Sequence, residues 1–153
     1  MAKLPGAVLF ACTSNVIRSP MAEAMLKYLH GNRIYVQSVG IRTGEPDPFV
    51  AEVMDEIGID LTRHKPKTFD DLHDEYEEET ESFDLVISLS PEAHHHAIEM
   101  TRNAAVDIEF WNTFDPSVVQ GSREQILDAY RAVRDELFRK IRARFPRDPV
   151  APA

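Results

Sequence analysis

Short apolar runs alternate along the chain with stretches in which apolar residues recur every third or fourth position, a pattern that predicts strands interleaved with helices. Ala7 to Ala11 is an apolar run bounded by Pro5-Gly6 and by a polar loop, and predicts a buried strand. Met21, Ala22, Met25, Leu26 and Leu29 then mark one helix face. Ser19 sits in the capping position of that helix, Pro20 at its first helical position, and Gly31-Asn32 ends it. Ile34 to Val39 predicts a second strand. Asp47-Pro48 repeats the cap-then-proline start, and Phe49, Val50, Val53, Met54 and Ile57 form the buried stripe of a helix stopping at Gly58. Phe83 to Leu89 predicts a third strand, Ser90-Pro91 opens another helix, and Val106 to Trp111 predicts a fourth strand. From Arg123 onward Ile126, Tyr130, Val133, Leu137 and Ile141 keep the helical period up to Pro146.

Strands separated by amphipathic helices build an α/β fold: a four-stranded parallel sheet with right-handed crossovers and helices on both faces. A chain of 153 residues suffices for one such core and not for two ordinary ones. A single domain is therefore expected over residues 1–146, followed by a Pro-rich, frayed tail at 147–153. Ligands of such sheets bind beyond the carboxyl ends of the strands, where the loop after the first strand lies.

Composition narrows the partners. Apolar residues make up 43% and charged residues 28%, ordinary globular values. No apolar run approaches the roughly 18 residues of a membrane span, and the N-terminus lacks a secretory layout, so a cytoplasmic protein with no membrane partner is expected. The one cysteine cannot form an internal disulfide, and a free thiol suits a reducing compartment. The formal net charge is -9, and eight of the twelve residues from Asp70 to Glu81 are acidic. That run reads as a solvated helix face or loop, with docking of basic partners as the alternative. An acidic surface repels phosphate backbones and excludes nucleic acid as the expected partner. His94-His95-His96 reads as a solvated helix start, because consecutive helical residues point in different directions and cannot share one metal. Neither a metal nor any other cofactor is implied. Trp111 and Phe114 read as core residues, with a place lining the mouth of the ligand site as the alternative.

The chemistry concentrates in the loop Cys12-Thr13-Ser14-Asn15-Val16-Ile17-Arg18-Ser19, set between a strand and a helix N-terminus. Backbone N–H groups of a tight loop and of the first helical turn converge on one point and form a cradle for an anion. A thiol at its mouth feels the same field, which favours the nucleophilic thiolate. Arg18 supplies a planar fork matched to two phosphate oxygens, and Ser19 can hydrogen-bond the sulfur. Cys12 and Arg18 are the candidate catalytic groups, and Thr13, Ser14, Asn15, Val16, Ile17, Arg18 and Ser19 the candidate substrate-binding segment.

Cys-x5-Arg-Ser followed by Pro20-Met21-Ala22-Glu23 resembles the low-molecular-weight protein tyrosine phosphatases and the related thioredoxin-coupled arsenate reductases. Ser38-Val39-Gly40, Gly58-Ile59-Asp60 with His64, and Asp115-Pro116 extend the resemblance over nearly the whole chain. It implies that Cys12 forms a phosphocysteine, Arg18 holds the phosphate, and Asp115 acts as general acid and then general base. It also implies that Asn15, Ser19, Ser38 and His64 support the loop, with Asn15 in a left-handed conformation. Ser14 replaces a usual glycine, Ile17 replaces a second cysteine found in many eukaryotic members, and Ser117 and Val118 replace a pair of aromatics.

The expected function is phosphomonoester hydrolysis of the tyrosine phosphatase type, on a phosphorylated protein or a small aryl phosphate. Two alternatives remain at this point. One is an arsenate reductase that depends on an external thiol, since the chain has no further cysteine to take up the oxidation. The other is a non-catalytic module binding phosphate or a phosphoprotein, although binding requires neither nucleophile nor acid.

Overall fold

Strand β1 (Ala7–Cys12) is the spine of the molecule. In a computed structural model that describes residues 4–147, it pairs on one edge with β2 (Tyr35–Gly40) and on the other with β3 (Leu85–Ser88), beyond which lies β4 (Asp107–Phe110). All pairings are parallel, in the order β2-β1-β3-β4. The tail expected to fray lies, from residue 148 onward, outside the described residues.

Side chains of β1 alternate between two cores, as the pleat requires. Val8, Phe10 and Cys12 face helices α1 (Arg18–His30) and α5 (Arg123–Arg144), packing with Met21, Met25, Leu127 and Leu137. Leu9 and Ala11 face the other way, against Phe69 and Leu72 of α3 (Phe69–Tyr76) and Ala93 and Ala97 of α4 (Pro91–Met100). Helix α2 (Pro48–Asp55) packs on α5. Both faces of the sheet are covered, which is why its central strands are apolar except for the buried Ser88 at the end of β3.

β3 and β4 are shorter than the apolar runs that predict them. The ladder between β1 and β3 runs only from Val8 opposite Leu85 to Ala11 opposite Ser88, so Phe83 and Leu89 lie beyond it. Ile34, Val106 and Trp111 likewise flank their strands. Asp47 and Ser90 cap α2 and α4 as expected, accepting from Phe49 N–H and Ala93 N–H. The start of α1 needs correction: Ile17, not Ser19, is the residue before the helix, and it makes no side-chain capping bond. Ser19 lies inside the first turn because its hydroxyl is committed to the loop, and Pro20 occupies a turn whose N–H groups have no helical acceptor anyway.

The acidic run is part helix and part loop. Thr68 and Asp71 close a capping box at the start of α3, Glu77 ends it with φ 54°, and most of the carboxylates are exposed. The histidine run is not a solvated helix start. His94 is half-buried and stacks on Phe110 with ring centroids 4.6 Å apart, His96 lies 4.5 Å from Phe69, and only His95 is exposed. Trp111 packs against Phe10, whereas Phe114, expected in the core, is 56% exposed because it lies in the loop after β4, past the last sheet pairing.

Candidate active site

The strand order places a topological switch between β1 and β3, where adjacent strands send their chains to opposite sides and open a crevice. The loop after β1 fills that crevice. Its segment 12–19 leaves the sheet at Cys12 and re-enters regular structure at Arg18, so that Cys12, Arg18 and Ser19 are brought together although the last two belong to a helix. Thr13 is tied to the end of β3, its hydroxyl donating to Ser90 Oγ at 3.0 Å, and its carbonyl accepts from Ile41 and Arg42 beyond β2.

Asn15 is the pivot of the loop. Its φ of 56° turns the chain in the left-handed region, which Asn tolerates better than most residues. The side chain is fully buried and satisfied on both ends. Its amide donates to Ser19 Oγ and to Ser38 Oγ, each at 2.9 Å, while its oxygen accepts from Lys67 N–H at 2.9 Å. Because Asn15 donates to Ser19, the Ser19 proton is left for one of two acceptors, the Cys12 sulfur at 2.8 Å or Val39 O at 3.4 Å, and a thiolate at Cys12 would take it. Ser19 N–H also points to that sulfur, at 3.4 Å. The Ser19 N–H, and its hydroxyl when the sulfur carries no proton, can both donate to Sγ.

The network continues away from the cradle. Ser38 donates to Glu23 Oε1 at 2.5 Å, and Lys27 meets the other Glu23 oxygen at 2.5 Å. His64 donates from Nε2 to the Asn15 carbonyl at 3.0 Å, which fixes its tautomer and leaves Nδ1 4.0 Å from Glu23 Oε1. Burial lowers the His64 pKa and outweighs the Asn15 bond and the Glu23 carboxylate, both of which favour its protonation.

Opposite the loop, a cavity of about 220 Å³ is bounded by Cys12, Ser14, Arg18, Glu45, Asp47 and Asp115 among others. Arg18 donates from one guanidinium nitrogen to Thr113 O at 3.0 Å, and its other terminal nitrogen lies 4.0 Å from Asp115 Oδ2. Ser117 holds Asp115 Oδ1 through both its N–H (3.0 Å) and its hydroxyl (2.7 Å). One carboxylate oxygen is thus braced while the other faces Arg18. Of the residues singled out in the sequence, Cys12, Ser14, Val16, Ile17, Arg18 and Asp115 border this cavity. Thr13, Asn15, Ser19, Ser38 and His64 do not line it, and the last four are joined by hydrogen bonds to one another.

Sequence reasoning assigned no role to Glu23, Lys67 or Ser117. A signal existed for Glu23, which follows Ser19 by one helical turn and so shares its face. The Ser117 contact was legible in Asp-Pro-Ser, whose Asp accepts from the residue two positions on. Nothing local reveals Lys67, whose part in the network is played by its backbone N–H across 52 residues.

A buried thiol beside a strand-loop-helix cradle, faced by an arginine and a carboxyl group, defines the class of cysteine-dependent phosphatases and the reductases built on the same cradle. The chain belongs to the low molecular weight phosphotyrosine protein phosphatase family, whose profile matches residues 7–148. An arsenate reductase of Halalkalibacterium halodurans is 31% identical over 137 residues, covering 88% of this chain and 91% of that protein. The tyrosine phosphatase AmsI of Erwinia amylovora shares the fold with a TM-score of 0.72 at 18% identity, covering 91% of this chain and 90% of that one. The arginine phosphatase YwlE superposes with a TM-score of 0.70 at 25% identity, covering 93% and 97% of the two chains. No helix among the described residues is long and apolar enough to cross a membrane.

Proposed function

We propose that this protein hydrolyses phosphomonoesters as a protein tyrosine phosphatase, acting in a reducing, cytoplasmic setting on a phosphorylated protein or a small aryl phosphate. The observation that carries this reading is the position of Asp115, whose unbraced oxygen faces Arg18 across the cradle that contains Cys12. In the first step the Cys12 thiolate attacks phosphorus, the bond from phosphorus to the ester oxygen breaks, and Asp115 gives that oxygen a proton. In the second step Asp115 takes a proton from water, the hydroxide displaces sulfur from phosphorus, and the thiolate is restored with release of phosphate. Arg18 follows the charge on the equatorial oxygens in both steps, and the Ser19 hydroxyl stabilises the sulfur as it departs. A positioned carboxyl group of this kind contributes about 10²- to 10⁴-fold.

The arsenate reductase among the sequence relatives supports a second reading, in which Cys12 forms a thiol-arsenate adduct that an external thiol resolves. Cys12 is the one cysteine of the 153 residues, so this chain cannot supply a second thiol itself. Phosphate release from phosphotyrosine and arsenite formation from arsenate, measured on the same preparation, separate the two. The expected result is robust phosphate release, with no arsenite when thioredoxin is the sole reductant. Multiple-turnover arsenite formation with thioredoxin would overturn the assignment, and arsenite formation supported only by glutathione, mycothiol or glutaredoxin would establish the second reading.

A further inference from the structure

Lys67 is only 6% exposed. Among the described residues its ammonium has neither a carboxylate within 4.0 Å nor a hydrogen-bond acceptor, and the group it lies over is the Tyr76 ring, 5.3 Å from nitrogen to centroid. Burial lowers its pKa despite the attraction of Glu23. The stem of Lys67 is buried while its ammonium opens on a cavity, and a cation held there without a protein partner can take a ligand from solution.

The surroundings suit an anion. Lys67 lines a cavity of about 470 Å³ together with Lys27, Arg63, Lys65, Glu23 and Asp60. Both carboxylates are already engaged, Glu23 by Ser38 and Lys27, and Asp60 by the N–H and hydroxyl of Thr62. Four cations against two carboxylates leave two positive charges, in a molecule whose formal net charge is -9. The cavity shares no lining residue with the one at Cys12.

We propose that this cavity is a second oxyanion site, taking a free phosphate dianion with Lys67 as its buried ligand and Lys27, Arg63 and Lys65 around it. The site lies behind the loop. Glu23 and His64, which border it, belong to the hydrogen-bond network that ends on Cys12, so an anion there sits next to the support of the cradle without entering it.

Amide NMR shifts during a titration with inorganic phosphate, at ionic strength held constant with sodium chloride, report the two sites separately. Amides of Ser14 to Ser19 follow the cradle, and those of Lys65, Lys67 and Lys27 follow the second cavity. The expected result is saturation of the second set with its own midpoint. Lys67→Met should weaken that midpoint about ten- to hundredfold, the equivalent of one charge-assisted hydrogen bond, while the cradle set still responds. Without phosphate, Lys67→Met should melt no lower than the wild type, because the ammonium makes neither an ion pair nor a hydrogen bond within the described residues and the substitution keeps the backbone N–H to Asn15. Amides of the second set that stay still, that follow the cradle midpoint, or that respond undiminished in Lys67→Met would overturn the proposal. So would a destabilised Lys67→Met protein in phosphate-free buffer, since that would make Lys67 a structural cation.

Discussion

Asp115 divides its two oxygens between tasks. Ser117 fixes Oδ1 from two sides, and Oδ2 faces Arg18, so the group is oriented before any substrate arrives. If Oδ2 carries the proton for the leaving oxygen, Asp115→Asn should slow hydrolysis of phenyl and alkyl phosphates by about 10²-fold or more. It should slow activated nitrophenyl esters much less, since their leaving oxygen needs less protonation. An equal loss across leaving groups would assign Asp115 to structure alone. His64 provides a second test at this scale, through stability. Its folded-state pKa lies below the ordinary 6.5 because of burial. Above pH 6.5 the imidazole is neutral in both states and the fold keeps its full stability. As pH falls below that value the unfolded chain takes up a proton that the folded chain resists, and stability drops until the folded pKa is reached. His64→Gln keeps a donor for the Asn15 carbonyl but does not titrate. Its unfolding free energy, measured by denaturant on either side of pH 6.5, should vary less with pH, by up to about 1.4 kcal/mol per pH unit. Identical slopes in the two proteins would remove His64 from the pH response.

At the scale of elements, the cradle depends on a close approach between the end of β2 and the loop after β1. A Cβ on Gly40 would stand 2.7 Å from Arg42 O and 2.8 Å from both Asn15 N and Ser14 C, all of them backbone atoms that cannot swing aside. Gly40→Ala should therefore cost about 1–3 kcal/mol and weaken phosphate binding in the same protein. Gly44→Ala is the control, because its Cβ would meet a Val16 methyl group at 3.2 Å, which a side-chain adjustment relieves. Comparable losses in both variants, by calorimetric melting and phosphate titration, would show that the approach at Gly40 is not what shapes the loop. The strand and helix order was legible because each core face repeats with its own period: Val8, Phe10 and Cys12 against Leu9 and Ala11, or Met21, Met25 and Leu26 along α1. The loop residues were legible as a motif. Three things were not. Ser19 reads both as a helix cap and as a partner of the sulfur, and only the fold decides between them by committing its hydroxyl to Cys12 and Asn15. His94 and His96 read as solvated until β4 and α3 bring Phe110 and Phe69 against them. Lys67 joins the Asn15 network through a backbone group, for which no side-chain pattern can code.

Charge at the scale of the whole molecule bears on which phosphorylated partner reaches Cys12. Many of the cations are locally neutralised: Arg131 and Arg134 by Glu56, Arg144 by Glu109, and Arg123 by Glu52. The excess is acidic, carried by the exposed carboxylates of α3 and the loop after it. Around the mouth of the cradle Glu45, Asp47 and Asp115 add to that field, although Arg18 is cationic within it. On the proposed function, a phosphoryl group would be held at close range by the cradle and Arg18, where the interaction is short and partly desolvated. The residues flanking it in a peptide meet the longer-range acidic field instead, which speeds the encounter of basic partners and slows that of acidic ones. Phosphotyrosine peptides with lysine or arginine on either side should therefore show several-fold higher kcat/KM at low salt than matched peptides with aspartate or glutamate. The field is screened over a length of about 8 Å at physiological ionic strength, so the ratio should shrink as sodium chloride is added, while the uncharged-flank peptide changes least. The distinction can be read from steady-state rates of the three peptides at two salt concentrations. A preference for acidic flanks, or a basic preference that salt leaves unchanged, would mean that direct contacts at the mouth, not the field of the molecule, select the partner.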